Sequence, residues 1–200
     1  MSRPARIPNL GGAKAVVLHR PHPTVNALAR QLAAIGLEVG DCWPHLPAEA
    51  LAADFVFFDV DLGFDEQFPW KPGEAPMPLV ALIGSEAPGR IEWALSHKAD
   101  AQLLKPVGTA GVYSALLIAR QAFEARRRLA DEIAALEARV AERQTIVRAV
   151  AALCAKGVDD ERAYAQLRSL AMNWQVSVEQ AARRVVAMAT GEGDDHTRRA

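Results

Sequence analysis

Little in this chain of 200 residues points to catalysis, secretion or membrane insertion. Its two cysteines, Cys42 and Cys154, lie far apart without metal-ligand spacing, so neither a disulfide framework nor a metal site is expected. No apolar run approaches the roughly 20 residues of a membrane span. The opening MSRPARIPNLGG lacks the apolar core of a signal peptide. These shortages fit a reducing, cytoplasmic setting and no membrane partner. Charge of one sign is missing too, since the formal net charge is -1. Bulk electrostatics therefore makes no case for a nucleic-acid partner. No nucleophile–base set, metal-ligand cluster or glycine-rich phosphate loop is present, so an enzyme is not expected, nor a cofactor.

Proline is absent from residues 107 to 156, and there an apolar period is sustained. The repeat visits Ala119, Ala122, Arg126, Leu129, Ile133, Leu136, Val140, Arg143, Val147, Val150 and Cys154 in alternating steps of three and four. That is a heptad seam in a stretch rich in Ala, Glu, Arg and Leu. A narrow seam on a long helix needs a second surface to bury it, most simply another copy of the chain. Leu129, Ile133, Leu136, Val140 and Val147 are its expected dimer contacts. Arg126 and Arg143 at seam positions suggest a dimer held in register.

Before this helix, short apolar runs alternate with helical segments. KAVVLH, LEVGDCW, DFVFFDV, PLVALIG and DAQLLKPV read as strands. TVNALARQLAAIG reads as a helix with Thr24 as N-cap and Gly36 as its stop, PAEALAA as a short helix and APGRIEWALSHKA as another. This alternation predicts an α/β domain with a five-stranded parallel sheet and helices on both faces. Thr109 is expected to open the long helix. The loop GFDEQFPWKPGEAP is long and has no helical period. Its Phe64, Phe68 and Trp70 have two open roles, packing onto the sheet or recognising another protein.

Function in parallel sheets sits at the carboxyl ends of the strands. Those ends carry His19-Arg20, Cys42-Trp43, Asp59-Val60-Asp61, Gly84-Ser85 and Lys105-Pro106. From the residues alone, Asp59 is expected to pair with Lys105 or Arg20. DFVFFDVDLG and LLKPV resemble the third strand and the Lys-Pro loop of response-regulator receiver domains, a flavodoxin-like fold. The resemblance puts Asp59 at the phosphoacceptor position and Lys105 at that of the paired lysine. It also implies departures. His19 and Arg20 stand where receivers have two magnesium-holding acids, and Gly84 stands where they have a hydroxyl, unless Ser85 substitutes for it. The implied reading is a pseudo-receiver with a degenerate site formed by Asp59, Lys105, His19, Arg20 and Gly84. The alternative is a phosphorylation-gated response regulator using Asp59.

Beyond residue 143 the charge turns mildly basic, with seven Lys/Arg against four Asp/Glu over 143–184. Gly157 should end the long helix, and Asp159 or Asp160 should cap the next. Ser177 and Gln180 form a capping-box pattern that opens a last helix. Ile146, Ala149, Leu153, Gly157, Ala163-Tyr164, Leu167-Arg168, Ala171-Met172, Val178 and Ala181 resemble the ANTAR module, a three-helix RNA-binding unit. RNA loops are read through Arg contacts to phosphate and bases stacked on aromatic planes. The candidate RNA contacts are Arg148, Lys156, Arg162, Arg168, Trp174, Arg183 and Arg184, with Tyr164 expected in the core. Where the family has Ala-Lys-Gly this chain has Ala149-Val150-Ala151, and Lys156 is the nearest substitute for the lysine.

In order along the chain, the parts resemble AmiR-like ANTAR-family transcription antiterminators. The expected division is a disordered tail over 1–12, a pseudo-receiver over 13–110, a coiled-coil dimerisation helix over 111–142, an ANTAR domain over 143–190 and a tail over 191–200. The resemblance implies a homodimer that binds leader-RNA hairpins. It also implies control by an amide-sensing negative regulator that is similar to periplasmic binding proteins.

Overall fold

In a computed structural model of the chain, residues 10–155 and 157–190 are described. Five strands form one parallel sheet: β1 (Lys14–Leu18), β2 (Glu38–Cys42), β3 (Phe55–Asp59), β4 (Leu79–Ile83) and β5 (Ala101–Leu104). Their order across the sheet is β2-β1-β3-β4-β5. Helices α1 (Pro23–Ile35) and α2 (Pro88–Ser96) connect strands. The other two crossovers contain only the single-turn 3-10 segments Ala48–Ala52 and Asp65–Gln67.

Alternation along the central strands sorts the core into two layers. Phe55, Phe57, Val80 and Leu82 pack with Leu28 and Leu32 of α1. Val56, Phe58, Leu79, Ala81 and Ile83 face the other way, onto Ala94 of α2 and onto Leu46, Ala50, Phe68 and Met77 from the loops. The second face is therefore covered partly by the short 3-10 segment at Ala48–Ala52 and by the long loop between β3 and β4. Phe68 packs edge-on against Phe58 with ring centroids 5.6 Å apart, and Trp70 stacks on Phe68. Phe64 meets Trp43 and His45 edge-on. Of the two roles open to these aromatics, packing is the one seen.

Local signals set the helix ends. Gly36 takes φ +99°, which lets its N–H and that of Leu37 close the end of α1 on Ala33 and Leu32. The N-cap of α1 is His22, not Thr24: the His22 ring accepts from the Thr24 N–H, and Thr24 itself is buried. Residues 10–12, expected to belong to a disordered tail, are ordered: Leu10 is buried in the core and the Gly12 N–H donates to Gly36 O at 2.8 Å. Residues 1–9 and the tail at 191–200 lie outside the described residues.

Helix α3 (Val112–Cys154) starts three residues beyond Thr109, after Gly111 at φ +101°. α4 (Asp160–Asn173) and α5 (Val178–Thr190) follow. The chain divides into two compact units between Arg128 and Leu129. The sheet unit thus includes the first turns of α3, where Val112, Ala115, Leu116 and Ala119 are buried. A boundary at 110 is too early, since those turns complete the core on the α1 side. The helical unit has its own core: Ala149 and Leu153 of α3, Ala163, Leu167 and Ala171 of α4, and Ala181, Ala182 and Val185 of α5. No helix among the described residues is long and apolar enough to cross a membrane.

Candidate functional site

The carboxyl ends of β1, β3, β4 and β5 converge on a small cluster of charges. Asp59, the last residue of β3, is 1 % exposed. Lys105, just beyond β5, donates to it at 2.7 Å. His19, just beyond β1, places Nε2 3.5 Å from the other Asp59 oxygen and 3.4 Å from Lys105 Nζ. Its Nδ1 lies 2.6 Å from Arg20 O. Arg20 itself is exposed and makes no ion pair with Asp59; it lines an open cavity of about 450 Å³ over this corner. Of the two partners expected for Asp59, Lys105 is the one present.

Asp61, noted at the strand end but given no role from the sequence, completes the cluster. Its carboxylate accepts from Lys105 at 2.6 Å and from the backbone N–H groups of Gly84 and Ser85 at 3.1 and 2.9 Å. Burial pushes its pKa up, but Lys105 and those two amides outweigh burial and hold it below the usual carboxylate range. A Cβ on Gly84 would run into the Asp61 carboxylate. Glycine at this position and the placement of Asp61 are thus one feature. The only trace in the sequence was a second acid two residues after Asp59.

Magnesium does not fit this corner. The ion wants carboxylate and water oxygens in near-octahedral geometry. Here a lysine ammonium bridges the two carboxylates and an imidazole fills the flank. Among the described residues, no group of three or more His, Cys, Asp or Glu is placed to hold a metal. Nearby, burial and then the Asp41 carboxylate push the Cys42 thiol up to about 11, so it stays neutral.

The seam residues are placed very differently. Leu129, Ile133, Leu136, Val140 and Val147 are all about half exposed or more, at 47 to 67 %. Arg126 is not one of them: it pairs with buried Asp100, which also accepts from the Leu79 N–H. Its expected part in setting a dimer register is therefore corrected to a tie between α3 and the sheet.

The helical head keeps its caps. Asp159 accepts from the Arg162 N–H, and Ser177 and Gln180 exchange the two hydrogen bonds of a capping box. Gly157 takes φ +87° past the end of α3. Arg148, Arg162, Arg168, Arg183 and Arg184 are all exposed. Arg183 reaches Glu142 at 3.6 Å and Arg162 reaches Asp159 at 3.4 Å, both as exposed pairs of little strength. Trp174 is half-buried at the end of α4, with the Arg184 guanidinium 5.5 Å above its ring. Lys156 lies outside the described residues. Tyr164 is 45 % exposed, not core as expected, because its neighbours Ala163 and Leu167 take the inward positions. Val150 packs against the head core.

A receiver-like sheet joined through a long helix to a three-helix head defines a regulatory protein of two modules. Comparison with known proteins agrees. A family model described as AmiR, N-terminal, matches residues 13–120, and an ANTAR domain model matches residues 134–186. The chain belongs to the AmiR family and carries an ANTAR domain. It is 27 % identical over 176 residues to the aliphatic amidase regulator of Pseudomonas aeruginosa, covering 86 % of this chain and 90 % of that one. Among solved structures it aligns with the Rec1 domain of ShkA in complex with c-di-GMP: 25 % identity, 56 % of this chain, 95 % of that one, TM-score 0.44. It also aligns with full-length FixJ from B. japonicum: 20 % identity, 91 % of this chain, 98 % of that one, TM-score 0.43. The fold assignment stands on the strand order itself.

Proposed function

We propose that this chain is a cytoplasmic, dimeric RNA-binding regulator that acts by transcription antitermination. The observation that carries the reading is the ANTAR match over a three-helix head attached to a helix with an exposed apolar seam. Two chains pair along 129–147 and present two heads. Linked sites of modest affinity gain from effective concentration. Binding leader-RNA hairpins then stabilises them against a competing terminator, and polymerase reads through.

Control is by sequestration, not by phosphorylation. Asp59 already shares Lys105 with Asp61, and the corner offers no magnesium site. Without the metal, charge developing on a transferring phosphoryl group loses its main stabiliser. A ligand-sensing partner that is similar to periplasmic binding proteins holds the dimer, and its ligand relaxes that grip. The similarity to an aliphatic amidase regulator supports an amide as the ligand.

Gel shifts with hairpins from the leader of the operon that carries the gene test the RNA step. Binding that survives excess tRNA is expected; none above tRNA, for the wild type, contradicts it. Mass spectrometry after acetyl phosphate and magnesium tests the other step. No gain at Asp59 is expected, and a gain abolished by Asp59→Asn reinstates phosphorylation gating.

A further inference from the structure

The ends of α3, α4 and α5 leave an open groove of about 560 Å³ in the head. Leu153 lines it from α3, Gln166, Leu170 and Trp174 from α4, and Val185 and Met188 from α5. Met188 is 62 % exposed and Trp174 half-buried, so apolar and aromatic surface faces water there. Gln166 supplies an exposed amide on the wall, able both to donate and to accept.

Each of the three helices carries an arginine one turn before a groove-lining residue. Arg148 precedes Ala152 by four positions, Arg162 precedes Gln166, and Arg184 precedes Met188. Residues four apart share a helix face. The groove is thus framed by three exposed cations from three helices, one of them already stacked over Trp174. Among the described residues, the only acid paired with any of them is Asp159, on Arg162, and that pair is exposed. The other exposed face of α4 carries Tyr164, Arg168 and Met172 at the same spacing, but none of these lines the groove.

We infer that this groove receives one unpaired base from an RNA hairpin loop. The base stacks on Trp174 and presents its edge to Gln166, while Arg148, Arg162 and Arg184 take the flanking phosphates. The inference rests on the RNA-binding reading above. An apolar slot with an aromatic wall suits a base's π-face, and three surrounding cations suit its backbone. A second head is a poor occupant, because it brings the same three arginines and opposes like charge to like.

The test uses the full chain and hairpins selected from a library with one fixed stem and a randomised loop. Trp174→Leu removes the stacking plane. Ala155→Trp fills the groove from an exposed position, so it does not depend on Trp174's packing in the core. Each is expected to weaken the selected hairpins roughly tenfold or more, while Tyr164→Leu changes affinity less than about twofold. Ultraviolet crosslinks from the loop should map to Trp174 or Met188. If no hairpin binds the wild type more tightly than the base-paired stem alone, the RNA reading itself fails and the inference with it. If hairpins bind but respond to Tyr164→Leu and to neither groove variant, the RNA reading stands and the groove assignment is overturned. The assignment is equally overturned if the groove variants change the molar mass in solution and leave hairpin binding intact.

Discussion

The strand-end corner and the helical unit treat their polar and apolar groups in opposite ways. At the corner the buried charges are held within the chain: Asp59 and Asp61 share Lys105, His19 closes the flank, and the Gly84 and Ser85 amides donate to Asp61, while Arg20 stays exposed beside them. In the helical unit Leu129, Ile133, Leu136, Val140 and Val147 stay exposed, and Arg148, Arg162, Arg168, Arg183 and Arg184 face water. Lys105, the cation nearest Asp59, is already shared between two carboxylates. Surface left unsatisfied is where other molecules are to be expected. The exposed apolar seam and the exposed arginines of the head lie on α3 and beyond.

The largest effect should come from the open side. Charging the seam with Ile133→Asp and Leu136→Asp together should convert the dimer to a monomer by light scattering. Hairpin affinity should then fall about 100-fold, the lower end of what linkage of two sites supplies. A variant that stays dimeric would move the dimer contact elsewhere.

On the closed side, Lys105→Met leaves the Asp59 and Asp61 carboxylates facing each other without the ammonium they share. Breaking a buried charge network in this way costs about 3–5 kcal/mol, to be read from urea unfolding. A smaller loss would mean that the corner is wetter than its burial indicates. Gly84→Ala should cost about 1–3 kcal/mol, because its Cβ displaces the Asp61 carboxylate. Lys105→Met with Gly84→Ala should cost less than the sum, since both disturb the same carboxylate.

The smallest effect is on pH dependence. Asp61 has a folded pKa below its ordinary 3.8. Its contribution to stability is therefore present above that value and is lost as pH falls through the lower, folded value. Asp61→Asn should flatten the acid limb of a stability curve below about pH 4 and leave the neutral region parallel to the wild type. An unchanged acid limb would remove Asp61 from the corner.

The features legible in the sequence are those set locally. The continuous apolar FVFFD and LVALI runs, the Gly36 and Gly157 stops and the Ser177–Gln180 box each rest on a few neighbouring residues, and each is seen as expected. What escaped depends on contacts between distant segments. Asp61 acquires its role from amides 23 and 24 residues away. Arg126 fits the heptad by spacing but is taken by Asp100, 26 residues earlier. His22 displaces Thr24 as a cap because its ring nitrogen reaches the Thr24 N–H, which spacing alone does not show. Tyr164 fits an apolar row, yet Ala163 and Leu167 define the inward face more narrowly than that row implied. Sequence pattern located the acidic corner and the head, and geometry decided which of their residues are closed and which are open.

The central claim is that an unphosphorylated dimer acts on RNA. Single-round transcription through the operon's leader with purified protein tests it most directly. Read-through of the terminator should rise with protein concentration in the absence of any phosphodonor. Read-through that stays flat, or rises only after acetyl phosphate is added, would contradict it.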